Sequence, residues 1–135
     1  MKKKSPSRRP DPGLEEIFAA LSDRTRLRIL NLLALGEICV CYFTEIIGAP
    51  QPTISRHLAY LRRTGLVTTR RDGKWIHYRA ASEPRSRAAR ILAAVLGEMR
   101  KDRELQADLI ALESACCAVK LPASLAGAPR PTLGR

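Results

Sequence analysis

Between residues 43 and 79 the chain passes from two short helical apolar stripes to two β-leaning runs, and this passage restricts the fold more than any other stretch. Phe43, Ile46 and Ile47 mark a short helix stopped by Gly48. A second helix starts at once: Gln51 sits where an N-cap would be, Pro52 suits the first helical position, and Ile54, Leu58 and Leu61 form a stripe ending at Arg63-Thr64-Gly65. Two short helices across a glycine-containing turn predict a helix-turn-helix. The runs Leu66 to Arg71 and Lys74 to Arg79 then flank Asp72-Gly73, a pair suited to a two-residue hairpin turn, and predict a wing.

The flanks complete the pattern. Leu14, Ile17, Phe18 and Leu21 recur at i, i+3, i+4, i+7 on a first helix, and Ser22 or Asp23 caps a second that carries Leu27, Leu30 and Leu33 and closes at Gly36. After Glu83-Pro84 a helical pattern continues through Leu92, Val95, Leu96, Met99, Leu105, Leu109, Leu112 and Cys116 until Pro122 forbids it. Unbroken, that helix is about 50 Å long, more than one small domain covers, so its stripe is expected to bury against a second copy. With 135 residues and 45% hydrophobic composition, one core is the expectation. The fold class is mainly α with a small β-hairpin, a winged helix-turn-helix that forms a homodimer through its terminal helices. Residues 1–12 read as a disordered basic arm, 13–117 as the DNA-binding and dimerisation domain, and the Pro/Gly/Ala-rich 118–135 as a disordered tail.

The net charge of +11 is unevenly placed. Lys2, Lys3, Lys4, Arg8 and Arg9 crowd the start, and Arg56, Arg62, Arg63, Arg70, Arg71, Lys74 and Arg79 face only Asp72 between residues 51 and 80. Beside a helix-turn-helix, such a patch points to nucleic acid. No apolar run suggests a membrane span and no leader pattern follows the basic start, so the expected compartment is the cytoplasm, with no membrane partner. There the pairs Cys39/Cys41 and Cys116/Cys117 read as ligands, sensors or packing residues rather than disulfides. Two histidines, both in the DNA-facing region, and no carboxylate pair or nucleophile constellation argue against an enzyme or a catalytic cofactor.

Four stretches carry a resemblance to a known family: Leu21-Ser22-Asp23-Arg24-Thr25-Arg26-Leu27, Glu37-Ile38-Cys39-Val40-Cys41, Gln51-Pro52-Thr53-Ile54-Ser55-Arg56-His57-Leu58, and Gly73-Lys74-Trp75-Ile76-His77-Tyr78-Arg79. In this order they resemble the arsenic-sensing branch of the ArsR/SmtB repressors over roughly Leu14 to Leu112. The resemblance implies a repressor of double-stranded operator DNA, with Glu37–Cys41 as metalloid box, Gln51–Leu58 as recognition helix and Gly73–Arg79 as wing. The implied effector is arsenite, As(III), or antimonite.

On the DNA side, Gln51, Thr53, Ser55, Arg56 and Tyr60 lie opposite the apolar stripe, with Gln51, Thr53 and Arg56 as base-reading candidates. His57 has either a phosphate or a packing role. Arg70, Arg71 and Lys74 are placed to reach phosphates or a minor groove. On the effector side, thiolate is the soft ligand that selects soft ions, and Cys39 and Cys41 are the first candidates. On a regular helix, residues two apart point about 200° from each other, so joint ligation requires the first turn to unwind or shift. The commonest arsenic-sensor pattern has a third cysteine where this chain has Thr44; Cys116 and Cys117 are candidates to replace it, within one subunit or across the dimer. A cadmium/lead/zinc-responsive repressor of the same family, and a constitutive architectural DNA binder with structural cysteines, are the alternatives.

Overall fold

A computed structural model describes residues 12–117 and 122–133. Its helices are α1 (Leu14–Leu21), α2 (Arg24–Leu33), α3 (Val40–Ile47), α4 (Gln51–Arg63), α5 (Arg87–Met99) and α6 (Arg103–Cys117); its strands are β1 (Gly36–Cys39), β2 (Val67–Asp72), β3 (Trp75–Ala80) and β4 (Thr132–Leu133). This is a winged helix-turn-helix, with α3 and α4 as the helix pair and β2–β3 as the wing.

Local chemistry explains most boundaries. The Glu16 carboxylate accepts from the Gly13 amide at the start of α1, and Asp23 accepts from Arg26 N at the start of α2. Gly48, at φ 81, ends α3 in the left-handed conformation that glycine adopts without a Cβ clash. The N-cap of α4 is Pro50 rather than Gln51, because Pro50 in extended conformation offers its carbonyl to Thr53 and Ile54, and Gln51 is already helical. The wing turn is likewise one residue later than expected. Asp72 pairs with Trp75, leaving Gly73 and Lys74 as the loop, with Gly73 (φ 62) at the first central position.

Three larger corrections come from tertiary contacts. The hairpin belongs to a four-stranded antiparallel sheet of order β2-β3-β1-β4, in which Ile38 pairs with Tyr78 and Cys39 with His77. The expected continuous last helix breaks at Arg100–Asp102: Asp102 accepts from Leu105 N and so starts α6, and Arg24 grips the same carboxylate through both nitrogens of its fork. Helix α6 returns to the core. Leu105 and Leu112 are buried, Asn31 Nδ2 donates to Leu105 O at 2.8 Å, and Arg28 pairs with Asp108 at 2.8 Å. Much of the stripe assigned to a second copy is therefore covered within the subunit.

The expected disordered tail is ordered over residues 122–133. A 3-10 turn, Ala123–Leu125, buries Leu125 completely, and β4 pairs with the free edge of β1 through Gly36↔Leu133 and Glu37↔Thr132. The segment has no periodicity because a sheet edge supplies its backbone partners and a gap in the core takes Leu125. Residues 118–121 and the arm up to residue 11 lie outside the described residues.

The core gathers Ile17, Ile29, Leu30, Ile38, Tyr42, Phe43, Ile54, Leu58, Leu61 and Leu92, all essentially inaccessible. The first-helix stripe is only half used: Ile17 and Leu21 are buried, while Leu14 and Phe18 remain 51% and 55% exposed.

Candidate regulatory site and nucleic-acid interface

Cys39 does not lie on a helix. It ends β1 and is the N-cap of α3, with extended dihedrals, while Cys41 lies in the first turn of that helix. The expectation of two sulfurs on opposite sides of one helix is corrected accordingly, since the strand-to-helix bend removes the angular conflict. Both cysteines line one cavity of about 610 Å3.

Cys39 is buried and Cys41 half-buried. Burial pushes the Cys39 thiol above its ordinary range, the Cys41 backbone amide pulls it back in part, and the neighbouring Cys41 side chain adds to the rise. Its Sγ lies 3.9 Å from Pro129 O. Thr44, standing where the resemblance expects sulfur, donates to Cys41 O at 2.8 Å and lines the same cavity. Cys116, near the end of α6, donates to Pro131 O at 3.3 Å. The side chain of Cys117 lies outside the description. Among the described residues, no group of three His, Cys, Asp or Glu is placed to hold a metal ion.

Sequence reasoning missed Tyr42. Its hydroxyl is fully buried, has no hydrogen-bond partner, and is raised above the tyrosine range first by burial and then by Cys39, with Arg130 opposing and Cys116 and Cys41 adding smaller rises. The three thiols are thus electrostatic neighbours of one orphan hydroxyl. Only the fold reveals this, because Cys116 arrives there by the return of α6.

The DNA-side candidates divide. Gln51, Thr53, Ser55 and Arg56 share the outward part of α4; Arg56 is exposed, and its guanidinium makes one long contact, 3.4 Å, to Thr53 Oγ1. Tyr60 is held inside the protein face, with the Arg26 guanidinium 4.4 Å and that of Arg63 5.2 Å from its ring centroid. His57 Nδ1 lies 3.3 Å from Arg26 Nη1, and Arg26 also donates to Ala20 O and Ala19 O. Arg26 therefore ties the end of α1 to the back of α4, a role the sequence did not disclose. In the wing, Arg70 forms a forked pair with Glu37, which holds that carboxyl below the usual range; Arg71 bonds Gly73 O; Lys74 lies exposed over the Trp75 ring. The cavity walled by Cys39 and Cys41 is also lined by Gln51 and Ser55 of α4 and by Lys74, Trp75 and Tyr78 of the wing.

The sequence pattern of "Bacterial regulatory protein, arsR family" matches residues 23–69. The arsenical resistance operon repressor of Escherichia coli is 47% identical over 78 residues, covering 57% of this chain and 67% of that protein. The Pseudomonas putida arsenic resistance transcriptional regulator ArsR2 is 48% identical over 69 residues, covering 50% and 60%. A cadmium resistance transcriptional regulatory protein CadC homolog from Staphylococcus aureus is 38% identical over 77 residues, covering 56% and 64%. The match thus spans about two thirds of the length of these relatives. Among solved structures, the transcriptional repressor BigR from Xylella fastidiosa superposes with TM-score 0.57 at 32% identity, covering 67% of this chain and 86% of its own. The homodimeric winged helix-turn-helix domain Mb0332 from Mycobacterium bovis gives 0.54 at 35%, covering 64% and 80%. The strand-capped cysteines, the outward α4 face, the basic wing and these likenesses agree: the chain belongs to the arsR family of bacterial regulatory proteins and is a winged helix-turn-helix transcriptional regulator, not an enzyme.

Proposed function

We propose that the protein is a metalloid-responsive repressor that binds an imperfect palindromic operator as a homodimer in the cytoplasm and releases it when cysteine thiols take up arsenite. One observation supports this above the rest. Cys39 and Cys41 share a cavity with Gln51, Ser55 and Lys74, so a ligand at the sulfurs acts on the reader and the wing directly. Ligation that alters the spacing of α4 and β2–β3 lowers affinity for DNA, and by linkage DNA lowers affinity for the ligand.

The donor set fits the metalloid. Arsenous acid is neutral, and each S–As bond that forms breaks one As–O bond; the hydroxide leaves as water with the thiol proton. Because the proton departs in the product, the raised thiol of Cys39 is no obstacle, whereas a divalent cation requires the bare thiolate. Antimonite shares this chemistry. Cys39 and Cys41 supply two sulfurs and Cys116 or Cys117 the third. The half-open α1 stripe of Leu14 and Phe18 is the apolar surface a second copy covers.

Operator binding titrated with arsenite, antimonite, cadmium and zinc under reducing conditions tests the reading. Arsenite and antimonite release the native protein, and Cys41→Ser binds the operator without responding to either. Replacing both Cys116 and Cys117 by Ser severely weakens the arsenite response. Undiminished release of Cys41→Ser by arsenite refutes the thiol mechanism. Release by cadmium alone moves the effector to divalent cations, and no release by any of the four leaves a constitutive DNA binder.

A further inference from the structure

Two thiols from distant elements end on one short stretch of backbone. Cys39, at the end of β1, approaches Pro129 O, and Cys116, on α6, donates to Pro131 O. Those carbonyls are two residues apart in the run leading into β4, and alternate residues of an extended run face the same side about 7 Å apart. Three sulfurs on one centre stand closer, about 3.8 Å from each other for bonds near 2.3 Å. With the segment docked, no three-ligand group is assembled among the described residues. A second observation points to the same place. The Tyr42 hydroxyl, fully buried and without a hydrogen-bond partner, is neighboured by Cys39, Cys41 and Cys116.

We propose that Cys116 is the third sulfur of the effector site, from the same subunit as Cys39 and Cys41, and that residues 122–133 form a strap latched by the thiol protons and released when arsenic replaces them. The inference rests on the arsenite reading above. Its chemistry balances: one arsenous acid and three thiols give a tris-thiolate arsenic and three waters. Cys39 and Cys116 lose the hydrogens they offered to the strap, so Pro129 O and Pro131 O are left facing sulfur with no donor between them. Among the described residues, the other holds on the strap include the two pairs of β4 with β1, the bond from Arg130 to Cys116 O, the bond from Ser124 to Glu45, and the burial of Leu125 and Ala128. The latch partner of the strap is thus the strand that carries Cys39, which couples strap release to the reader through β1 and β3.

The test uses the full chain under reducing conditions, with non-denaturing mass spectrometry to read the adduct and amide hydrogen exchange to read the strap. The adduct mass separates arsenic on three sulfurs from arsenic on two sulfurs and one hydroxyl. In the native protein, arsenite gives the three-sulfur adduct, and the amides of Gly36, Glu37, Thr132 and Leu133 exchange at least tenfold faster than without it. Cys116→Ser retains an O–H donor for Pro131 O; it keeps the strap protected and yields the two-sulfur adduct. A three-sulfur adduct with unchanged exchange overturns the strap and leaves the arsenite reading standing. Loss of the third sulfur in Cys117→Ser, with Cys116→Ser still giving three, overturns the assignment of Cys116. No arsenic adduct in the native protein removes the arsenite reading itself, and the strap mechanism with it.

Discussion

Arg24, Arg26 and Arg28 belong to one helix, yet all three are engaged inside the subunit: Arg24 with Asp102 and Glu104, Arg26 with Ala20 O and the Tyr60 ring, Arg28 with Asp108. Arg56 and Lys74 differ, for neither pairs with a carboxylate among the described ion pairs, and both are exposed. Arg56→Ala should therefore erase the preference for operator over random DNA. Lys74→Ala should weaken both alike and lower the salt slope of binding by about one. Competition titrations at several salt concentrations distinguish them; equal losses for Arg56→Ala on both DNAs would remove it from base reading. A second outcome concerns acid. The Arg24 fork, helped by the Leu105 amide, holds the Asp102 carboxyl down to about 2. A carboxyl lowered by folding favours the folded state above its unfolded value of about 4, and the benefit is lost as pH falls from there toward 2. Asp102→Asn should flatten that part of the stability profile, as read from denaturation midpoints against pH.

At the scale of elements, the seam between α2 and α6 decides whether α6 can return to the core at all. Arg28 and Asp108 meet through two hydrogen bonds, with side chains 19% and 8% exposed, so removing either leaves the other poorly solvated. Asp108→Ala should cost about 1–3 kcal/mol by chemical denaturation, toward the lower end to the extent that Arg28 still finds Glu104. A loss under a few tenths would mean that α6 is held by Leu105 and Leu112 alone. In the wing the constraint is conformational. A Cβ at Gly73 meets nothing within 4 Å, yet φ is +62°, so Gly73→Ala should cost about 1 kcal/mol through backbone strain alone.

For the whole molecule, the half-covered stripe of α1 is the feature a single subunit leaves unresolved. Leu14 and Phe18 sit four residues apart on one face and are more than half exposed, while Ile17 behind them is inaccessible. In the proposed dimer a second copy covers that face. Phe18→Glu should then shift sedimentation from dimer to monomer and weaken operator binding at least tenfold, while circular dichroism keeps the helical content. A dimer that persists in Phe18→Glu would place the interface elsewhere.

The order of helices, the helix-turn-helix and the wing were legible in the sequence, because each is written in local periodicity, in a glycine that must take positive φ, or in a cap one turn away; the reader residues and the cysteine box are proposals carried by residue type and spacing. The break in the last helix was not legible, since the apolar stripe runs on across it, and what fixes the return of α6 is Arg24, far off in sequence, holding the Asp102 carboxylate. Nor was the ordered closing segment, whose strand exists because β1 presents an unpaired edge. The cysteine site divides along the same line. Residue types and spacing determined that Cys39 and Cys41 are candidate soft ligands. Only the tertiary structure decided that Cys39 caps a helix from a strand, that Cys116 is carried to the same tyrosine, and that both thiols meet one strap, because Tyr42 and Cys116 lie 74 positions apart and Cys39 and Pro129 lie 90 apart.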